Sequence, residues 1–256
     1  MNHILKLSLL VVYCTLLAVG QAEMLHKLRE GQKTCKALSL SGGGTKGAYE
    51  VGVLHKMARM LNGTDAEYDV VSGISIGSVN GAFLTFFDKG DELNSTEYLA
   101  NYWLYNTTNS GTYKFWPGFE PYEAIMVEPS VLDTSPFHQH LIDTFTAFDN
   151  KLYKHFLAGA VDVDSGSTIA VDYDNLTEAE YPLGVLASTS IPVAFPYTPL
   201  RNWRLIDGGS SWNNNMVAAV EKCVQLGFDH ENIEVDVIAM TPDRLDTFDA
   251  KKSNAW

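Results

Sequence analysis

Three glycine-rich turns, each falling where an apolar strand pattern stops, constrain this chain more than any other feature. Ala37-Leu38-Ser39-Leu40 runs through Ser41 into Gly42-Gly43-Gly44-Thr45-Lys46-Gly47. Tyr68-Asp69-Val70-Val71-Ser72 runs into Gly73-Ile74-Ser75-Ile76-Gly77, and Trp203-Arg204-Leu205-Ile206 runs into Asp207-Gly208-Gly209. Helical periodicity follows the first two turns, on Ala48, Val51, Leu54, His55, Ala58 and Leu61 and then on Val79, Ala82, Phe83 and Phe86. Further strands are expected from Leu157 to Val163, Thr168 to Tyr173 and Val235 to Met240. Further helices are expected from Phe137 to Tyr153, Pro182 to Ser190 and Asn215 to Leu226. Such alternation predicts the α/β class, a mostly parallel sheet with helices on its faces.

A chain of 256 residues, 46% apolar and 19% charged, suits one globular domain with a substantial core. Residues 1–22 read as a signal peptide. Lys6 gives a weak positive start, Leu7 to Val19 an apolar centre, and Gly20-Gln21-Ala22 a small-residue cleavage site. As an uncleaved anchor, that apolar run is short for a bilayer span. Residues 23–35 follow as a polar lead-in, and residues 36–256 as a single domain.

Cleavage after Ala22 removes one lysine and no acid, taking the formal net charge from −13 to −14. A chain this acidic is not expected to bind nucleic acid or to dock electrostatically on anionic lipid, so any lipid contact should be apolar. A secreted or lumenal location fits four glycosylation sequons, at Asn62, Asn94, Asn106 and Asn175. Cys14 leaves with the signal. Cys35 and Cys223 remain, as a disulfide or as two buried small hydrophobes, and neither has metal-ligand spacing.

The turns carry the candidate chemistry. Ser75, flanked by Gly73 and Gly77 between a strand and a helix, has the placement of an exposed nucleophile, although an ordinary N-capping serine has the same local sequence. The glycines from Gly42 to Gly47 let backbone N–H groups converge on an anion at a helix mouth. They match a dinucleotide fingerprint in form, but no acid ends the second strand to hold a ribose, and Gly47 precedes Ala48 where a P-loop needs Lys. An oxyanion hole is the better account. Lys46 is equally a phosphate contact or a solvated side chain.

Asp207 ends a strand and precedes two glycines, as a general base on the sheet rim or a simple turn aspartate would. A Ser-Asp-His triad on the α/β-hydrolase plan needs a histidine after the acid, and only His230 qualifies, in a polar connection. His55, His138, His140 and His155 belong to no motif. Residues 101–127 gather Tyr102, Trp103, Tyr105, Tyr113, Phe115, Trp116, Phe119 and Tyr122, as a lipid-facing cap or an aromatic side wall of the core.

Taken in order, the Ser41–Ala48 turn, the segment from Gly73 to Ala82, Ile206-Asp207-Gly208-Gly209 and the stretch from Ala187 to Pro196 resemble the patatin-like phospholipases, over roughly Lys36 to Met240. The resemblance implies a single domain with a mixed sheet between helices, related to cytosolic phospholipase A2. It implies cleavage of acyl esters of phospholipids and neutral lipids without a general need for metal. Ser75 would be the nucleophile of a Ser-Asp dyad, Asp207 its base, and Gly42, Gly43 and Gly44 the oxyanion hole, with no histidine needed. No cofactor or stable protein partner is expected, only a lipid substrate, aggregated or at a membrane surface. Lys46 stands where the family often has Arg, keeping the charge without the bidentate fork. The chain also ends soon after the Val235 to Met240 strand, as a minimal domain or a fragment would. The competing readings are an esterase using His230 in a triad, and a lipid-binding or storage glycoprotein with a vestigial dyad.

Overall fold

The computed structural model describes residues 34–61, 63–105, 109–118 and 121–240. The signal peptide, nearly all of the lead-in, and the sequons at Asn62 and Asn106 lie outside these residues, as does Phe119. Nine strands are described: β1 (Cys35–Leu40), β2 (Val70–Ile74), β3 (Lys114–Phe115), β4 (Leu132–Asp133), β5 (His155–Asp162), β6 (Thr168–Asp172), β7 (Thr198–Leu200), β8 (Trp203–Asp207) and β9 (Ile233–Ile238). Between them run α1 (Gly47–Met60), α2 (Ile76–Leu84), α3 (Glu92–Tyr105), α4 (Asn109–Thr112), α5 (Pro121–Val127), α6 (Ser135–Ala147), α7 (Tyr181–Ser188) and α8 (Met216–Gln225).

The main sheet has seven strands and is mixed. β9, β1, β2 and β5 run parallel in that order, while β6 and β8 pair antiparallel with β5 and β7 antiparallel with β8. Strand periodicity sends Leu38 and Leu40 into the larger core beneath α2, and Cys35 and Ala37 into a smaller one with Ala218, Ala219 and Cys223 of α8. Helices therefore cover both faces. A disulfide joins Cys35 to Cys223, with Cα atoms 6.0 Å apart, tying the start of β1 to α8.

The helix after Ser75 is not amphipathic. Every residue from Gly77 to Leu84 is buried, because α3, which sequence periodicity does not indicate, packs over α1 and α2. At its C-terminal end the buried Lys154 amine donates to the carbonyl of Leu84 (3.3 Å), which the helix leaves open, and to those of Phe87 (2.7 Å) and Asp88 (3.2 Å) in the turn that follows. The inner face of α1 is Gly47, Glu50, Val51 and Leu54, which shares Val51 and Leu54 with the stripe expected from Ala48 to Leu61 but not its two ends. Ala48 and Leu61 are exposed. The difference arises because Glu50, polar by type, points inward.

One register decides the site. β5 pairs with β2 and β6 across Leu157, Ala158 and Gly159, so those two strands occupy its opposite edges. β8 pairs with Ala160 and Val161, where β6 also pairs, and so takes up the edge that β2 has just left. Parallel β2 and antiparallel β8 consequently meet with their carboxyl ends together.

Candidate active site

β1 and β2 are parallel neighbours, with Leu40 paired to Gly73, so the glycine turn and Ser75 leave the sheet on the same rim. β2 runs two residues further than its apolar pattern suggests, through Gly73 to Ile74. A Cβ on Gly73 would fall 2.2 Å from the Gly77 carbonyl oxygen, and one on Gly77 would fall 2.6 Å from that of Leu40. Backbone contact excludes side chains at both positions. Between them Ser75 takes φ 54° and ψ −124°, a strained conformation for a residue with a Cβ.

Ser75 is not an ordinary cap, for its side chain makes no capping bond. The Ser78 hydroxyl donates to the Ser75 carbonyl instead (2.7 Å). The Ser75 N–H donates to Ser188 Oγ (2.9 Å), and the buried Ser188 hydroxyl donates to the Gly159 carbonyl (2.6 Å). Ser188 thus staples the turn to β5 across the end of β2.

Asp207 is buried, at 4% exposure, with its N–H donating to the Ser190 carbonyl (2.8 Å). Its Oδ1 accepts the Gly209 N–H (2.7 Å), so the turn role foreseen for this aspartate is real. The same carboxyl also faces Ser75. Burial pushes it above the ordinary carboxylate range, and hydrogen bonds from the Ser75 side chain and the Gly209 N–H offset only part of that rise. Gly208 is fixed by close approach, since a Cβ there would lie 2.5 Å from the Gly159 oxygen. Gly209 is exposed beside it.

Within the glycine turn, the Gly42 N–H donates to the Asn213 carbonyl (3.2 Å) and the Gly42 carbonyl accepts from Asn213 Nδ2 (2.8 Å). Gly42 is therefore a clamped residue whose amide is already engaged, although the sequence grouped it with the anion donors. Among the described residues the Gly43 and Gly44 amides have no partner. Gly44 takes φ 57°, bending the chain into α1. Lys46 is exposed and lines neither of the cavities described below. Asn213 and Ser188 were not singled out by sequence; the run Asn213-Asn214-Asn215 after the third turn was the available signal for the first.

Two cavities meet at Ser75. A crevice of about 240 Å³ is lined by Gly42, Gly43, Ser75, Asp207 and Asn213. A larger, mostly apolar cavity of about 440 Å³ runs from Ser75 between Val79, Tyr102, Trp103, Phe137 and Phe195. Ile191 borders both. The aromatic segment is partly cavity wall and partly surface. Tyr102, Trp103 and Tyr113 wall the cavity, Trp116 is half-buried with its indole N–H on the Ser130 carbonyl (3.0 Å), and Leu104, Tyr105 and Phe115 are exposed.

No histidine lines either cavity. His230 is exposed just before β9, whose first residue pairs with Cys35 at the start of β1. It therefore sits at the opposite end of the sheet from Ser75, which removes the geometric basis of the triad alternative. His55 and His140 contact Thr96 and Tyr102, and His155 pairs with Asp174.

A family model described as patatin-like phospholipase matches residues 38–220. No curated protein sequence matches the chain. Among solved structures, VipD from Legionella pneumophila is similar at TM-score 0.47 and 12% identity, with 80% of this chain and 50% of that one covered. The chain thus spans about half the length of VipD. The family match covers most of the chain and contains the glycine turn, Ser75 and Asp207, and on that match the chain belongs to the patatin-like phospholipase family.

Proposed function

We propose that this chain hydrolyses acyl esters of lipids through an acyl-Ser75 intermediate, with Asp207 as general base. The observation that carries the reading is a serine hydroxyl facing a buried carboxyl where a crevice bordered by the glycine turn meets an apolar cavity. Ser75 Oγ attacks the ester carbonyl carbon while its proton passes to Asp207. The carbonyl oxygen becomes the oxyanion, held by the Gly43 and Gly44 amides and favoured by the positive end of α2. Collapse breaks the ester C–O bond, and the leaving alcohol takes the proton back from Asp207. Water then loses a proton to Asp207 and attacks the acyl carbon, and Ser75 leaves with that proton as the fatty acid is released.

A carboxylate of ordinary pKa, about 4, is a poor base for a serine hydroxyl, and the raised value of Asp207 narrows that gap. Oxyanion binding supplies more, since a single lost donor costs roughly 3–4 kcal/mol of barrier.

The expected partner is a lipid aggregate or membrane surface. Support comes from the exposed apolar rim beside the site: Ile191, Val193 at 70% exposure and Phe115 at 60%. These residues are linked through Val131 and Leu132, whose N–H groups bond the Val193 and Ala194 carbonyls, and through the pairing of Phe115 with Leu132. The N-terminal pattern, the exposed Asn94 and Asn175 side chains of two sequons, and the disulfide support a secreted or lumenal location.

A fluorophosphonate probe, with a panel of phospholipids, galactolipids, triglycerides and nitrophenyl esters, tests the reading. Labelling at Ser75 and release of fatty acid from at least one lipid class are expected. An unlabelled Ser75 in folded protein would leave only lipid binding or storage.

A further inference from the structure

The mechanism above makes no use of the most deeply buried acid among the described residues. Glu50, on the inner face of α1, has no exposed surface, and its Oε2 accepts from Asn80 Nδ2 at 2.7 Å. The same Asn80 amide reaches the Gly47 carbonyl at 3.2 Å, while its Oδ1 accepts the Trp103 indole N–H at 2.9 Å. Asn80 is fully buried as well. Burial pushes Glu50 up to about 8, so at neutral pH the network ends on an uncharged acid.

The connection joins three helices at one point: α1 behind the glycine turn, α2 behind Ser75, and α3. Trp103 is the member that reaches the apolar cavity. Its indole lies so close on Gly47 that a Cβ there would meet Cζ2 at 2.6 Å, and Ile76 Cγ1 closes on the same point at 2.5 Å. An aromatic side chain held only by packing changes rotamer and lets a cavity adapt to its guest. Swinging this one aside would strip the buried Asn80 amide and the indole N–H of their partners. The wall beside Ser75 is therefore rigid.

We propose that Trp103, positioned by Asn80 and Glu50, sets the acyl-chain selectivity of the site by fixing how long a chain the cavity beside Ser75 accepts. The proposal rests on the acyl hydrolase reading for the identity of the ligand, but the cavity can be interrogated without turnover. Trp103 is the specificity determinant; Asn80 and Glu50 are positioning residues that act through it.

Calorimetric binding of saturated fatty acids of graded length to Ser75→Ala protein is the test, repeated with Trp103→Ala, Trp103→Phe and Asn80→Ala added. Affinity in the parent should rise with chain length and then break. Trp103→Ala should move that break to longer chains and raise affinity beyond it at least tenfold. Asn80→Ala, which keeps the indole but frees it, should blur the break in the same direction. Trp103→Phe, which keeps most of the bulk and loses the N–H, should fall between parent and Trp103→Ala. A purely structural role would lower affinity for all lengths together, without moving the break. Superimposable length profiles in all four proteins overturn the proposal, and so does an absence of fatty-acid binding at every length. Length-dependent binding without any ester turnover in the wild type would strike the hydrolase reading alone.

Discussion

Ile74 and Asp207 pair with consecutive residues of one strand, Gly159 and Ala160, along the same edge of β5. Because one partner strand arrives parallel and the other antiparallel, the residue after Ile74 emerges against the Asp207 carboxyl. Sheet register, not loop flexibility, sets the separation of serine and acid. Register is a rigid determinant, since a slip of one residue reverses the face that each side chain occupies.

From this arrangement, Ser75→Ala and Asp207→Asn should each lower ester turnover by about 10³-fold or more, as paired catalytic groups do. His230→Ala, at the far end of the sheet, should stay within about twofold of wild type. Initial rates on a soluble nitrophenyl ester decide this. A loss in His230→Ala comparable to that in Asp207→Asn would contradict the dyad.

Ser188→Ala removes the staple between the Ser75 N–H and the Gly159 carbonyl. Leaving these groups unpaired should cost about 1–3 kcal/mol of stability. Relaxation of the strained turn should also slow fluorophosphonate labelling of Ser75. Urea denaturation and labelling rates measured on the same preparation give both numbers; an unchanged labelling rate would mean the turn holds its shape unaided.

As the proposed base, Asp207 must be ionised to accept a proton, and burial raises its pKa. Activity should therefore fall as pH drops through a single acid limb in kcat/KM, centred above the usual aspartate value of about 3.9. A midpoint at or below that value would show that the burial effect is cancelled in solution.

Glu50 gives a pH dependence of stability with a definite sign. Its folded-state pKa, about 8, lies above the unfolded value of about 4.3. Between these the unfolded chain holds fewer protons than the folded one, so stability is fully present below the lower value and declines as pH rises through the higher. Thermal denaturation from pH 5 to 8 should show wild type losing on the order of a few kcal/mol more than Glu50→Gln, which cannot ionise. Parallel curves for the two proteins would place Glu50 in a more hydrated setting than its burial indicates.

The Cys35–Cys223 bridge closes a separation of 188 residues. Cys35→Ser/Cys223→Ser should lose about 2–5 kcal/mol of stability in the absence of reductant. Reductant should lower the melting temperature of wild type but not of the double variant. A reductant effect on both proteins alike would argue that the thiols are not paired.

Several features were open to reading in the sequence because they depend on local rules. Glycines 73, 77 and 208 are required by backbone contacts that no side chain survives, and such positions stand out in any strand-to-helix turn. The order of strands and helices around Ser75 and Asp207 followed from apolar periodicity. Helix α3, by contrast, carries Ser95, Thr96 and Tyr102 as buried residues, a mixed face that no hydrophobic stripe marks. Strand β7 is three residues long and contains Pro199, which leaves no period to detect.

What the sequence determined by itself was the chemistry on offer: a serine held between glycines, an acid at a strand end, a loop of exposed amides, and two cysteines. Only the tertiary structure decided their combination. It showed the Gly42 amide engaged by Asn213, Ser188 bracing Ser75, the cysteines paired, and Glu50 and Asn80 buried behind Trp103. The physical reason is range. Turns and periodicities are governed by neighbours along the chain, whereas hydrogen bonds between residues such as Gly42 and Asn213 exist only once sheet register and helix packing have brought distant segments together.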